Sequence, residues 1–103
     1  AMSLDFAVIG QNGAPEKTVS LGVDLHHELI TMAAVHGMAR FEDFADYYQD
    51  AEVAVDDLPG LVEQILALRS QTGSAELQRF LDDLSYLIAY AVAQQKALHA
   101  IAD

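Results

Sequence analysis

Between Phe41 and Leu68 stand eight acidic residues, Glu42, Asp43, Asp46, Asp50, Glu52, Asp56, Asp57 and Glu63, with no Lys or Arg among them. Carboxylates at such density can do three kinds of work: acid–base chemistry in a cleft, coordination of a hard cation, or recognition of basic groups. Glycosidic chemistry needs two carboxyls facing each other in a cleft, one with a raised pKa. The adjacent pairs Asp56–Asp57 and Asp82–Asp83 read instead as helix-terminal and surface charge. A calcium loop needs ligands at alternate positions around a central glycine, and residues 46–57 contain no glycine. Recognition of a basic partner is the use that asks for nothing the segment lacks.

The other reactive side chains organise less well. The histidines are His26, His27, His36 and His99. A zinc site wants three or four ligands at short helical spacing, and His26 and His36 lie about three helical turns apart. His36, on an apolar stripe, reads as a core histidine with one satisfied hydrogen bond. His26, His27 and His36 stay open as the basis of a small-molecule or metal-binding alternative, but no metal or cofactor is called for. Ser3, Ser20, Ser70, Ser74 and Ser85 lack the strand–turn–helix setting of a nucleophile elbow. The glycines match neither phosphate-loop pattern. No catalytic motif is present, and the expectation is a protein that is not an enzyme.

The elements that position these residues follow from periodicity. Leu4 to Ile9 alternates apolar and polar, as does Thr18 to Val23, and the intervening Gly10–Pro15 is dense in turn formers. Together they predict an antiparallel hairpin. Asp24 is the expected N-cap of a helix to about Met38, with Leu25, Leu29, Met32 and His36 on one face and Ile30, Ala33 and Ala34 widening it. No charged side chain stands between Leu29 and Ala39, so this helix is expected to be central and buried. Over 41–50, helical spacing puts Phe41, Phe44, Ala45 and Tyr48 on a core face and Asp43, Asp46, Tyr47 and Asp50 on an anionic one. Ala51 to Val55 is a third short strand against the hairpin edge, or an extended linker. Asp56-Asp57-Leu58-Pro59 opens a helix to about Ser70, burying Leu58, Leu61, Val62, Ile65, Leu66 and Leu68. Ser74 caps a last helix to about Ile101, with Leu77, Leu81, Leu84, Ile88 and Ala91 inward, flanked by Phe80, Leu87 and Leu98. Its other face carries Arg79, Asp82, Tyr86, Tyr90, Ala93 and Ala97. The sum is one α+β domain over residues 1–103, an N-terminal antiparallel β-hairpin on about four α-helices, with helix dominant.

Composition narrows the class of partner. Sixteen acids against five bases give a formal net charge of −11. That disfavours nucleic acid and anionic membrane surfaces and favours a basic protein. Cysteine is absent, which excludes disulfide and thiol chemistry. No run of about 20 apolar residues could span a bilayer. Leu4 to Gly10 is too short for a signal-peptide core, so a cytoplasmic location is expected. Ala1 before Met2 reads as a tag residue.

Several stretches carry a family resemblance: Leu4-Asp5-Phe6-Ala7-Val8-Ile9-Gly10, Leu25-His26-His27-Glu28-Leu29, Tyr47-Tyr48-Gln49-Asp50 and Leu58-Pro59-Gly60-Leu61. In layout the chain resembles the small acidic immunity proteins of bacterial toxin systems. The resemblance implies a cytoplasmic inhibitor that blocks a cognate toxin by occlusion, matching an acidic patch to a basic surface. The candidate patch is Glu42, Asp43, Asp46, Tyr47, Asp50, Glu52, Asp56 and Asp57, with Asp43, Asp46 and Asp50 accepting charge-assisted bonds and Tyr47 as the anchor. The other reading of the same charge is a solvated face that keeps an acidic protein soluble. Tyr86 and Tyr90 mark a second candidate contact, for a homodimer or an adaptor role.

Overall fold

The computed structural model describes residues 2–103, so Ala1 lies outside it. The element order is β1 (Leu4–Ile9), β2 (Pro15–Leu21), α1 (Val23–Val35), a 3₁₀ segment (Ala39–Phe44), β3 (Ala51–Val53), a short 3₁₀ turn (Val55–Asp57), α2 (Leu58–Gln71), α3 (Ala75–Ala93) and β4 (Leu98–Ala102). Helical segments hold more than half of the described residues, and the α+β class with its N-terminal hairpin stands. The four strands form one antiparallel sheet in the order β2-β1-β4-β3.

One sheet face carries the core. Leu4, Phe6 and Val8 of β1, Leu21 of β2, Val53 of β3, and Leu98 and Ala100 of β4 are all buried in a single cluster with the helices. Their alternation is the period of two that a half-covered sheet demands. The opposite face is mixed: Ala7, Ile9 and Ile101 share it with Asp5, which accepts hydrogen bonds from the hydroxyls of Ser3 (2.6 Å) and Ser20 (2.7 Å). Above the sheet, α3 is the central helix, burying Leu77, Phe80, Leu81, Leu84, Leu87, Ile88 and Ala91. The Ser74 hydroxyl caps it by accepting from the Leu77 N–H at 3.2 Å. A two-pronged Arg69–Asp82 pair ties α2 to α3, with Nε to Oδ1 at 2.6 Å and Nη2 to Oδ2 at 3.1 Å.

Several expectations need correction. The last helix does not reach Ile101; it stops at Ala93, and Leu98–Ala102 becomes a central strand. The stop is a Schellman closure: the Lys96 N–H reaches the Ala91 carbonyl (2.9 Å) and the Gln95 N–H that of Val92 (3.0 Å). Gln95 holds the left-handed conformation there, φ 56°, a place normally marked by glycine. The end of α1 uses the same closure, Met38 N–H to Ala33 carbonyl at 2.8 Å, with Gly37 at φ 66°. The glycine made the first stop visible in the sequence, and its absence hid the second.

Next, α1 is not the buried helix. Only His26, Leu29 and Ala33 are buried on it, while Ala34, Val35 and His36 are exposed. α3 holds the central place instead. The N-cap of α1 is Gly22, without a side-chain bond, and Asp24 sits in the first turn. Third, the 41–50 stretch is not an α-helix but a 3₁₀ segment followed by a turn. Fourth, β3 pairs with β4, not with the hairpin. In α2, Leu66 is exposed.

If Leu98–Asp103 were only a frayed helix end, its removal would be mild. As the strand between β1 and β3, its deletion exposes both neighbours, and a chain ending at Ala97 is expected to lose its cooperative thermal transition by circular dichroism. Gln95→Gly relieves the left-handed position and is expected to stabilise the fold by about 1 kcal/mol in urea unfolding. The Arg69 hydrogen bond, ahead of the opposing effect of burial, lowers the Asp82 pKa. A lowered folded pKa means that the pair stabilises above the ordinary aspartate range and ceases to as pH falls through the lowered value. Asp82→Asn should therefore melt below the parent at pH 7, and the gap should close in acid.

Candidate protein-binding site

The 3₁₀ geometry decides where the residues of the acidic segment go. With three residues per turn, positions three apart eclipse. Phe41, Phe44 and Tyr47 are buried at that spacing, and Tyr48 turns outward at 67% exposure. Tyr47 is thus a core residue, not an exposed anchor. Its hydroxyl donates to the Met2 carbonyl at 3.0 Å, and its ring lies 5.0 Å from that of His26 and 5.4 Å from that of Tyr48. Burial, then the neighbouring Tyr48, Asp5 and Asp103, push its pKa upward.

His26 also belongs to this core. Its Nε2 lies 2.7 Å from the Phe44 carbonyl. A carbonyl only accepts, so Nε2 carries the proton and donates. The satisfied core histidine is therefore His26, while His36 lies exposed just past the end of α1. The buried stripe His26, Leu29, Ala33 is one residue round from the expected Leu25, Leu29, Met32, His36. His27 is exposed, and among the described residues no three His, Cys, Asp or Glu side chains stand together as a metal site.

The acids divide into two groups. Asp50 is structural: its Oδ1 accepts from the Ala102 N–H at 2.8 Å, carrying the edge of β4 past the end of β3. Asp46 closes a turn by accepting from the Tyr48 N–H at 2.9 Å. Asp57 faces Arg40 at 3.7 Å, and Glu52 faces His99 across the β3–β4 pair at 3.8 Å. Glu42, Asp43 and Asp56 are exposed and have no hydrogen-bond or ion-pair partner among the described residues. Within the candidate patch these three are the carboxylates without an internal partner; Glu63 farther along the segment, and Asp24, Glu76 and Asp83 elsewhere, are likewise exposed and unpartnered among the described residues. Glu52 points to the open sheet face, opposite the helices, so the eight expected site residues do not form one continuous patch.

Beside Glu42 lies a feature the sequence did not announce. A groove of about 340 Å³ runs between α1 and the 3₁₀ segment, walled by Ile30, Ala33, Ala34, Gly37, Met38, Ala39, Phe41 and Ala45, with Glu42 at its edge. Small residues on both walls leave it unfilled. The available signal was the run from Leu29 to Ala39, which has no charge and three alanines.

The second candidate surface holds together: Tyr86 and Tyr90 both line one groove with Thr18, Val19, Asp83 and Leu87, and Tyr86 is 76% exposed. Tyr90 is half-buried: its hydroxyl donates to the Glu16 carboxylate, and Lys17 Nζ stands 5.0 Å from its ring centre. The Glu16 bond, more than burial, raises the Tyr90 pKa. Tyr90 therefore pins the hairpin to α3.

No family model matches the chain, and no curated protein or solved structure compared with it matches either. No helix among the described residues is long and apolar enough to cross a membrane.

Replacing His26 by Phe keeps the bulk but strands the buried Phe44 carbonyl. The expected loss is about 1–3 kcal/mol of unfolding free energy, read by urea titration. His36→Ala, at an exposed site, should shift it by less than about 0.5 kcal/mol.

Proposed function

We propose that the chain is a non-enzymatic, acidic protein-binding module, acting in the cytoplasm as an immunity-type inhibitor that occludes a basic partner such as a cognate toxin. The observation that carries this reading is the imbalance left after the internal pairs are made. Of five bases, Arg40, Arg69 and Lys96 face Asp57, Asp82 and Glu16, and Lys17 lies over Tyr90. Sixteen acids share these few cations, and Glu42, Asp43 and Asp56 have none. Such a field attracts a basic surface from a distance and raises its on-rate. Exposed carboxylates cost little in the free protein and are free to form charge-assisted bonds when Lys or Arg arrives. The resemblance in layout to toxin-immunity proteins supplies the class of partner.

Asp50 and Asp46 are poor places to test this, because both hold backbone N–H groups. The informative change is Glu42, Asp43 and Asp56 to Lys together. Against a basic protein captured from the native host at low salt, this triple change should lower the association rate by about ten-fold or more. The melting temperature should stay near that of the parent. A rate and a salt dependence both unchanged would remove the acidic face as the contact.

A second reading, a homodimeric helical adaptor, is favoured by the exposure of Tyr86 beside the β2–α3 groove. Sedimentation equilibrium separates it from the first: a dimer weakened by Tyr86→Ser supports it, and a monomer at all concentrations discards it.

A further inference from the structure

We infer that the groove between α1 and the 3₁₀ segment seats an apolar side chain from a basic amphipathic segment of the protein partner, with a Lys or Arg of that segment against Glu42. This rests on the acidic-module reading and says how the partner is held once charge has brought it close.

The groove has the make-up of a receptor for one protruding side chain. Its floor is Phe41, almost fully buried, and its walls are Ile30, Ala33 and Ala34 on one side and Met38 and Ala45 on the other. The volume of about 340 Å³ is more than enough to admit a leucine or phenylalanine side chain. It falls at the low end of the range of ligand pockets. Val35, next to the wall residue Ala34, is exposed and extends the apolar surface beyond the groove. An apolar groove with charge at its edge is the arrangement that binds an amphipathic helix.

Charge selects the occupant. Among the described residues the only ionisable group lining the groove is Glu42, and Asp43 follows it, exposed and without an ion-pair partner among them. Arg40, next to the lining residues Ala39 and Phe41 in the chain, is turned to α2: its Nη1 faces Asp57 at 3.7 Å, and its guanidinium would lie 3.2 Å from a Cβ at Gly60. An acidic segment would therefore meet two like charges with no relief. A second copy of this chain, itself at −11, would meet the same repulsion. A basic amphipathic segment satisfies both features at once, its apolar side displacing water from the groove and its cations neutralising the edge.

The test uses the full chain and two synthetic helical peptides of equal charge, one alternating Leu and Lys at helical spacing, the other with Ser for every Leu. Binding is followed by amide shifts in NMR and by titration calorimetry. Ala34→Phe fills the groove from the α1 wall, and Ala45→Leu fills it from the opposite wall; both positions are exposed, and circular dichroism checks that each variant folds. The expected result is that the Leu/Lys peptide binds about ten-fold more tightly than the Ser/Lys peptide, and that either filling variant loses that advantage. The largest shifts should fall on Ala33, Ala34, Gly37 and Met38. Equal binding of the two peptides, unaffected by either variant and with shifts confined to Asp43, Asp56 and their neighbours, would overturn the groove while leaving the acidic module intact. Failure of both peptides at low salt would overturn both. A parent dimer that Ala34→Phe dissociates would make a second copy the occupant and overturn the basic-segment assignment.

Discussion

The fold turns on Phe6. It is fully buried on β1, an inner strand of the sheet, with the Phe44 ring 5.0 Å away and the Phe80 ring 5.7 Å away, both edge to face. Phe44 brings in the 3₁₀ segment and Phe80 brings in α3, so one side chain joins three elements that are far apart in the sequence. Edge-to-face contacts of this kind add to the apolar burial they accompany. Around them, β4 completes the frame: it is the last element of the chain yet pairs with both β1 and β3. The first and last strands thus close the sheet together, and the helical layer is held over one side of it.

That constraint determines the fate of the acidic segment. Phe44 must point at Phe6, and Phe41 and Tyr47 follow it inward at intervals of three. The carboxylates between and after them are then distributed by backbone geometry. Some are drawn into the frame, as when Asp50 satisfies the Ala102 N–H and Asp46 closes the turn before Tyr48. Others are left facing water without a counter-ion. The same 3₁₀ segment, set at the corner beyond Gly37, stands off from α1 by the width of an apolar groove. Free charge and an open apolar site therefore share one corner because both are consequences of the way Phe41 and Phe44 are anchored.

Much of this was legible in the residues themselves. Composition sets the anionic character, the absence of thiol chemistry and the size class, because these are sums over side chains that no fold can change. Alternation in Leu4–Ile9 and the turn residues after it set the hairpin, and Ser74 and Pro59 mark the starts of α3 and α2, because caps and fixed φ angles act within a few residues. The inward stripe of α3 was equally plain, since a long helix with a strong apolar side has one way to lie.

What only the tertiary structure decided concerns short or evenly apolar stretches whose local preference is weak. Phe41, Phe44, Tyr47 and Tyr48 fit either a period of 3.6 or one of 3, and contact with Phe6 selects the second, which moves Tyr47 inside and Tyr48 outside. The apolar α1 could have been central; α3 occupies that place, and α1 is left at the margin with His26 rather than His36 in the core. Leu98–Ala102 can read as helix or strand, and it becomes a strand because β1 and β3 offer unpaired backbone on either side, which outweighs the strain at Gln95. Which carboxylates are free was likewise beyond the sequence, since the partners of Asp50 and Asp57 are Ala102 and Arg40, set by folding and not by spacing. Local signals act over a few residues; these outcomes depended on contacts between elements that meet only when the chain is folded.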